Sequence, residues 1–184
     1  MKVSKRVLVY LAPGFEEIEA VTVIDLLRRA EIDVTVAGLE KDAVTGAHGI
    51  RLTSDVYYKN INTQDYDVLV LPGGQPGTVN LKKDPQVIET VRTFNEAGKQ
   101  IAAICAAPTV LAEAGIVKNK KVTSYPSEKY IFTDAIYLDD LVVKDENLLT
   151  SRGVGTAIDF ALDLIAWIRG EKVKEEISKK ILWS

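Results

Sequence analysis

The sequence predicts a three-layer α/β/α sandwich built on a mostly parallel sheet. Three observations carry this expectation. Short, almost uncharged β-rich runs alternate with longer stretches of helical periodicity. Those runs are apolar at successive positions rather than at every second one, the pattern of strands buried on both faces. The third is that several of them end in Pro-Gly or Gly-Gly punctuation, where a strand hands over to a helix.

"RVLVYLAPG" reads as the first buried strand, stopped at Pro13-Gly14. "FEEIEAVTVIDLLRRA" follows as a helix, with Ile18, Val21, Ile24 and Leu27 near helical spacing as one apolar stripe, and Val23 and Leu26 as a surplus on another face that suggests a second burial partner. "IDVTVAGLE" is the next strand, and "VTGAHGIRLTSD" a hairpin turning at Gly46 to Gly49. "YDVLVLPGG" is a buried strand stopped at Pro72-Gly73-Gly74. "DPQVIETVRTFNEAGK" carries its own boundaries: Asp84 as N-cap, Pro85 at the first helical position and Gly98 as the stop. "QIAAI" is a fourth buried strand and "AAPTVLAEAG" a short helix expected to start at Ala106. "KVTSYP" and "NLLTSRG" read as later strands, with a hairpin inside "AIYLDDLVVKDENLLTS". "GTAIDFALDLIAWIRG" is the last strong helix and "EKVKEEISKKILW" a charged amphipathic tail. Strands alternating with helices imply a parallel sheet covered on both faces, of flavodoxin-like type.

The 184 residues fit one domain, spanning 1–184, with no linker or repeat. Lys and Arg number 23 against 26 Asp and Glu, so no basic excess is present to grip a phosphate backbone, and nucleic acid is not an expected partner. No apolar run reaches membrane-spanning length, and "VLVYLA" after the basic start, Met1 to Arg6, is too short for a signal-peptide core. A cytoplasmic protein is expected. One cysteine rules out an intrachain disulfide, and one histidine rules out the usual Cys/His zinc sets, so no metal or cofactor is expected.

In open α/β sheets, ligands bind beyond the carboxyl ends of the strands. Three unusual segments each directly follow a predicted strand: "APGFEEIE", "PGGQPG" and "CAAP". If they meet at one rim, the lone Cys105 is a functional thiol on a strand-to-helix elbow rather than a small core residue. A helix N-terminus facing the sulfur would lower its pKa from about 8.5. Gly73 or Gly74 could bring a backbone N–H to the reaction centre, and with the N–H of Ala106 form an oxyanion hole. Glu16, Glu17 and Glu19 fall in the first turn of their helix, where acids suit the helix dipole without needing a function. An acid beside a thiolate is tolerable if the pair shares one proton. "RGVGT" at Arg152 to Thr156 is too short for a dinucleotide fingerprint and reads as a cap of the last helix.

The blocks "APGFEEIEAV", "DVTVAG", "YDVLVLPGG", "AAICAAPTVLAEAGIVKNKKVT" and "LLTSRGVGTAIDFAL" run nearly end to end. In this order they resemble the ThiJ/PfpI superfamily, close to the YajL-like branch that includes the parkinsonism-associated protein deglycase. The resemblance implies a flavodoxin-like fold, a homodimer and a reactive cysteine on the elbow. It implies Cys105 as that cysteine, Glu19 as the protonated acid bonded to it, and Gly74 and Ala106 as backbone donors. Tyr125 stands where the family often has histidine, and His48 where close relatives often carry arginine. The single histidine is therefore not beside the thiol, which argues against a Cys-His dyad. Tyr125 could instead orient substrate through its hydroxyl. Pairing through the first helix would bring His48 or Arg29 of one subunit toward the Glu16 to Glu19 rim of the other.

The activity implied is a cofactor-independent, glyoxalase-like conversion of 2-oxoaldehydes such as methylglyoxal to lactate, or deglycation of early glycation adducts. The alternative is an oxidative-stress sensor or chaperone working through oxidation of Cys105.

Overall fold

The computed structural model describes residues 5–183. The basic start read at Met1 to Arg6 lies largely outside the described residues. The chain runs β1 (Arg6–Leu11), α1 (Glu17–Arg29), β2 (Asp33–Gly38), β3 (Ala43–Thr45), β4 (Arg51–Thr53), β5 (Val56–Tyr57), β6 (Val68–Leu71), α2 (Gln75–Lys83) and α3 (Pro85–Glu96). It continues through β7 (Gln100–Ile104), α4 (Pro108–Glu113), β8 (Lys121–Val122), β9 (Ile136–Tyr137), β10 (Val142–Asp145), β11 (Leu148–Ser151), α5 (Ala157–Arg169) and α6 (Glu171–Lys180). Short 3₁₀ turns fill several connections, including Pro126–Ile131 and Val154–Thr156.

Seven strands form the central sheet in the order β10-β11-β7-β6-β1-β2-β5. All neighbours are parallel except β10 and β11, which form the expected hairpin. The continuous apolar runs have their physical reason in the layers. In β1, Val7, Val9 and Leu11 face one core with α1, α5 and α6. Leu8 and Tyr10 face the other, with α3 and α4. Both faces are buried, so the positions from Val7 to Leu11 carry no charge. Among the described residues, no helix is long and apolar enough to cross a membrane.

Several local readings hold. Asp84 caps α3 by accepting the N–H groups of Gln86 (2.9 Å) and Val87 (3.2 Å), and Gly98 ends it at φ +64°. The β3–β4 hairpin pairs Val44 with Leu52 across the turn.

Two expectations need correction. The buried stripe of α1 is Ala20, Val23, Leu26 and Leu27 together with Glu17 and Glu19, whereas Ile18 and Val21 are exposed. The predicted stripe was rotated because two buried positions carry acids that a hydrophobic pattern discounts. Second, α2 starts immediately after Gly74, where only a turn was read. Pro76 is tolerated in its first turn, which has no helical acceptor for its N–H groups. Gly77 is there for close approach: a Cβ would lie 2.8 Å from the backbone of Phe15.

Candidate active site

The strand registers bring the carboxyl ends together. Leu71 of β6 lies beside Ala103 of β7, and Ile104 of β7 beside Ser151 of β11. The loops beyond them are tied to each other. Glu16 N–H donates to the Gly73 carbonyl (2.9 Å) and Gly77 N–H to the Gly14 carbonyl (2.9 Å). Gly74 adopts φ +88° there, and a Cβ on it would come within 2.5 Å of both Glu16 N and Gly14 O. The three segments after β1, β6 and β7 thus meet at one rim.

Cys105 is the first residue past β7 and sits at φ +63°, the left-handed region that a non-glycine residue enters at a cost. Neighbouring segments hold it there. Its N–H donates to the Ser151 carbonyl (3.0 Å), and its carbonyl accepts the Tyr125 N–H (2.7 Å). The sulfur is half-buried, and the backbone N–H groups of Gly74 and Ala106 lie close enough to favour its charged form.

Glu19 projects from α1 beneath the thiol and is fully buried. Its Oε2 accepts the Gly73 N–H at 2.8 Å, while Oε1 has no partner apart from the neighbouring thiol. Burial, with the nearby charge of Glu16 adding to it, pushes its carboxyl up to about 7; the Gly73 N–H and the thiol pull in the other direction.

The expectation of an acidified thiol is overturned. Burial first, then the charge of Glu19, pushes the Cys105 thiol up to about 12. The Gly74 and Ala106 donors lower it without reversing the outcome. The short helix expected to start at Ala106 begins at Pro108 and is six residues long. Thiol and carboxyl therefore titrate as one unit. Above about pH 7 the pair holds a single proton.

The thiol opens into a cleft of about 680 Å³. Of the three glutamates only Glu16 lines it. Glu17 turns inward, where its Oε1 accepts the N–H groups of His48 (2.7 Å) and Ile50 (3.3 Å) and its Oε2 meets His48 Nδ1 at 2.9 Å. Burial would raise the Glu17 carboxyl, but the His48 side chain and these N–H groups outweigh it and hold it below the ordinary range. Glu16, Glu17 and His48 also bring metal-ligating atoms within 4.8 Å of one another. Glu17 is, however, already committed to holding the β3–β4 turn.

Residues 5–167 match the DJ-1/PfpI family. The chain belongs to this family. It is 44% identical over 182 residues to Protein dj-1beta of Drosophila melanogaster, covering 97% of each chain. It is 36% identical over 184 residues to Glutathione-independent glyoxalase DJR-1.2 of Caenorhabditis elegans, covering 98% of each. The crystal structure of Drosophila melanogaster DJ-1beta superposes with a TM-score of 0.96 at 43% identity, over 99% of this chain and 100% of that one. The family resemblance read from the motif blocks is thereby established, and the flavodoxin-like architecture with it.

Within this DJ-1/PfpI chain, Cys105, Glu19, Gly73, Gly74 and Ala106 are brought together, and Tyr125 lines the cleft. His48 reaches the Glu16–Glu17 rim of its own chain, without a partner subunit. Arg29 does not line the cleft: it pairs with Asp25 (2.6 Å) at the far end of α1, about 18 Å along the helix from Glu17. Leu141, Arg152, Gly153 and Val154 line the cleft and were not foreseen as site residues. "RGVGT" caps the 3₁₀ turn Val154–Thr156 that leads into α5 rather than α5 itself: Thr156 Oγ1 accepts the Gly153 N–H (3.1 Å), and no side chain caps α5. The signal that could have revealed its second role is its position directly after a strand end.

Proposed function

We propose that the protein converts 2-oxoaldehydes to 2-hydroxy acids without a cofactor, using Cys105 as nucleophile and Glu19 as base. One observation carries the reading. A thiol, two converging N–H donors and a buried carboxyl poised near neutrality surround a single reacting position. A relative named as a glutathione-independent glyoxalase supports it.

Above about pH 7 the resting pair shares one proton between the thiol and the carboxyl. Glu19 takes the thiol proton as the sulfur attacks the aldehyde carbon, C1. The C1 oxyanion forms against the Gly74 and Ala106 N–H groups. Glu19 returns the proton to that oxygen, giving a hemithioacetal. The regenerated carboxylate removes the C1 hydrogen to give an enediolate. The C1 hydroxyl proton passes to the C2 oxygen, and Glu19 protonates C2. C1 has been oxidised and C2 reduced, and a 2-hydroxyacyl thioester remains on Cys105. Water cleaves it, releasing the 2-hydroxy acid and the thiol. The raised thiol pKa fits this scheme, because the nucleophile is made in the attacking step rather than stored as a thiolate. Early glycation adducts, as hemiaminals, have no aldehyde to attack; they would enter by expelling the amine, which takes the hydroxyl proton as the C–N bond breaks, and the aldehyde so regenerated adds to Cys105 as above.

Lactate formation from methylglyoxal tests the reading. Turnover by the wild type and its loss in Cys105→Ser are expected. No lactate, with peroxide-dependent addition of two oxygens to Cys105, would instead support the sensor.

We propose further that two copies pair through α1. Ile18 and Val21, one helical turn apart, and the nearby Ile50 are exposed on one surface, more apolar area than a solvent-facing helix needs.

A further inference from the structure

The cleft beside Cys105 is far larger than methylglyoxal, whose substituent is a single methyl group. At about 680 Å³ it falls in the ~300–1,000 Å³ range of sites that enclose drug-sized ligands. Its walls are unusual for a solvent-facing surface. Tyr125, Leu141 and Val154 are large apolar residues exposed by 49%, 57% and 40%, and all three line it. Exposed hydrophobics scattered singly need no explanation, but three converging beside a reactive sulfur do.

The floor is equally specific. Gly153 has no side chain, and a Cβ there would lie 3.5 Å from the Tyr125 ring and 3.9 Å from the Cys105 sulfur. The glycine therefore leaves a slot running from the sulfur along the face of its own backbone to the tyrosine ring. Tyr125 is fixed at the slot's edge by its N–H bond to the Cys105 carbonyl (2.7 Å). Arg152, the cation in the cleft, is already engaged, donating from Nη1 to the Asp139 carbonyl (2.6 Å). Between the sulfur and the Tyr125 ring the walls offer mainly packing surface, with the Tyr125 hydroxyl at the rim.

We infer that Tyr125, Gly153, Val154 and Leu141 form an aryl subsite, and that the preferred substrates are 2-oxoaldehydes bearing a flat aromatic substituent. The inference rests on the 2-oxoaldehyde reading above and names its substrate class. With C1 on the sulfur and its oxygen against the Gly74 and Ala106 donors, the substituent on C2 extends over Gly153. A ring there packs against Tyr125 in an offset or edge-on contact and is shielded by Val154 and Leu141. A polyhydroxyl substituent packed against the Tyr125 ring, Val154 and Leu141 would give up more hydrogen bonds to water than these apolar surfaces return.

Phenylglyoxal and methylglyoxal share their reacting groups and differ only in the substituent. The same holds for the product acids, mandelate and lactate. Wild-type kcat/KM for phenylglyoxal is expected to exceed that for methylglyoxal by about tenfold or more, from the extra apolar area buried. A binding measurement needs no turnover: mandelate should protect Cys105 from iodoacetamide at concentrations about tenfold below lactate. Tyr125→Ala should cut that selectivity by about fivefold, whereas a general loss of folding would weaken both acids alike. Selective protection by mandelate without turnover of either aldehyde would sink the proposed reaction and leave the subsite standing. Equal protection by the two acids, or selectivity unchanged in Tyr125→Ala, would overturn the subsite whatever the enzyme turns over.

Discussion

Gly73 donates its N–H to Glu19 Oε2 at 2.8 Å, and it can do so only because it has no side chain. A Cβ on Gly73 would lie 2.7 Å from that same oxygen and 2.6 Å from the Cys105 Cβ, with the Ile104 carbonyl at 2.8 Å. The Cys105 Cβ and the Ile104 carbonyl are fixed by the backbone, and the Glu19 carboxyl is fully buried with little room to retreat. Gly73→Ala should therefore destabilise the protein by about 1–3 kcal/mol through overpacking and cut kcat/KM by about 100-fold by pushing acid and thiol apart. Urea unfolding and steady-state kinetics check the two parts. A variant of normal activity would show that Glu19 need not touch the thiol.

The Glu19 carboxyl ties stability and activity to pH in opposite directions. In the folded state it titrates at about 7 against an ordinary 4.5, so the folded protein binds the proton more tightly. That contribution is fully present below about 4.5 and is lost as pH rises to about 7. The gap is worth about 3 kcal/mol. Glu19→Gln has no such proton, so its stability relative to wild type should improve by up to that amount between pH 4.5 and 8. Activity runs the other way: kcat/KM should climb through about pH 7 as the carboxylate forms. Glu19→Gln should lose that rise and about 100-fold or more in rate. A flat wild-type profile across this range would remove Glu19 as the base.

The elbow stores strain that can be measured apart from chemistry. At φ +63° a side chain at position 105 is disfavoured and glycine is not. Cys105→Gly and Cys105→Ala should both be inactive. The glycine variant should nonetheless be the more stable by about 1 kcal/mol, after allowing for the freedom glycine adds to the unfolded chain. If alanine proves the more stable, the positive φ is not a strained conformation that the rest of the site must hold.

What the sequence disclosed follows from where each signal originates. The strands β1, β6 and β7 were legible because burial on both faces makes their inner positions continuously apolar. Helix α3 was legible because Asp84, Pro85 and Gly98 are local signals. Helix α2 was hidden because Pro76 and Gly77 signal turns, although here they serve a helix start and a close contact with Phe15. In the site, the elbow and its donors could be read from the position of Cys105 after a strand. The titration of the thiol could not. It depends on how deeply the sulfur is buried and on Glu19 standing beside it, and both are set by contacts between residues 86 positions apart. The same long-range placement of Glu17 and Glu19 inverted the reading of α1.

That inversion decides how pairing through α1 should be tested. Val23 is fully buried in the core between α1 and the sheet, so a charge there would unfold the protomer and report nothing about an interface. Val21 is the informative position. It is 44% exposed, one turn from Ile18, and borders a groove with Ile24 and Leu52. Val21→Asp places a charge on the surface of a folded protomer, where its cost to stability should be within about 0.5 kcal/mol. Across a two-fold interface the same charge occurs twice and must be desolvated twice. Light scattering should therefore give a dimer mass for the wild type and a protomer mass for Val21→Asp, with unchanged far-UV circular dichroism. A wild type that scatters as a protomer at micromolar concentration, or a Val21→Asp variant that remains dimeric, would remove α1 as the pairing surface.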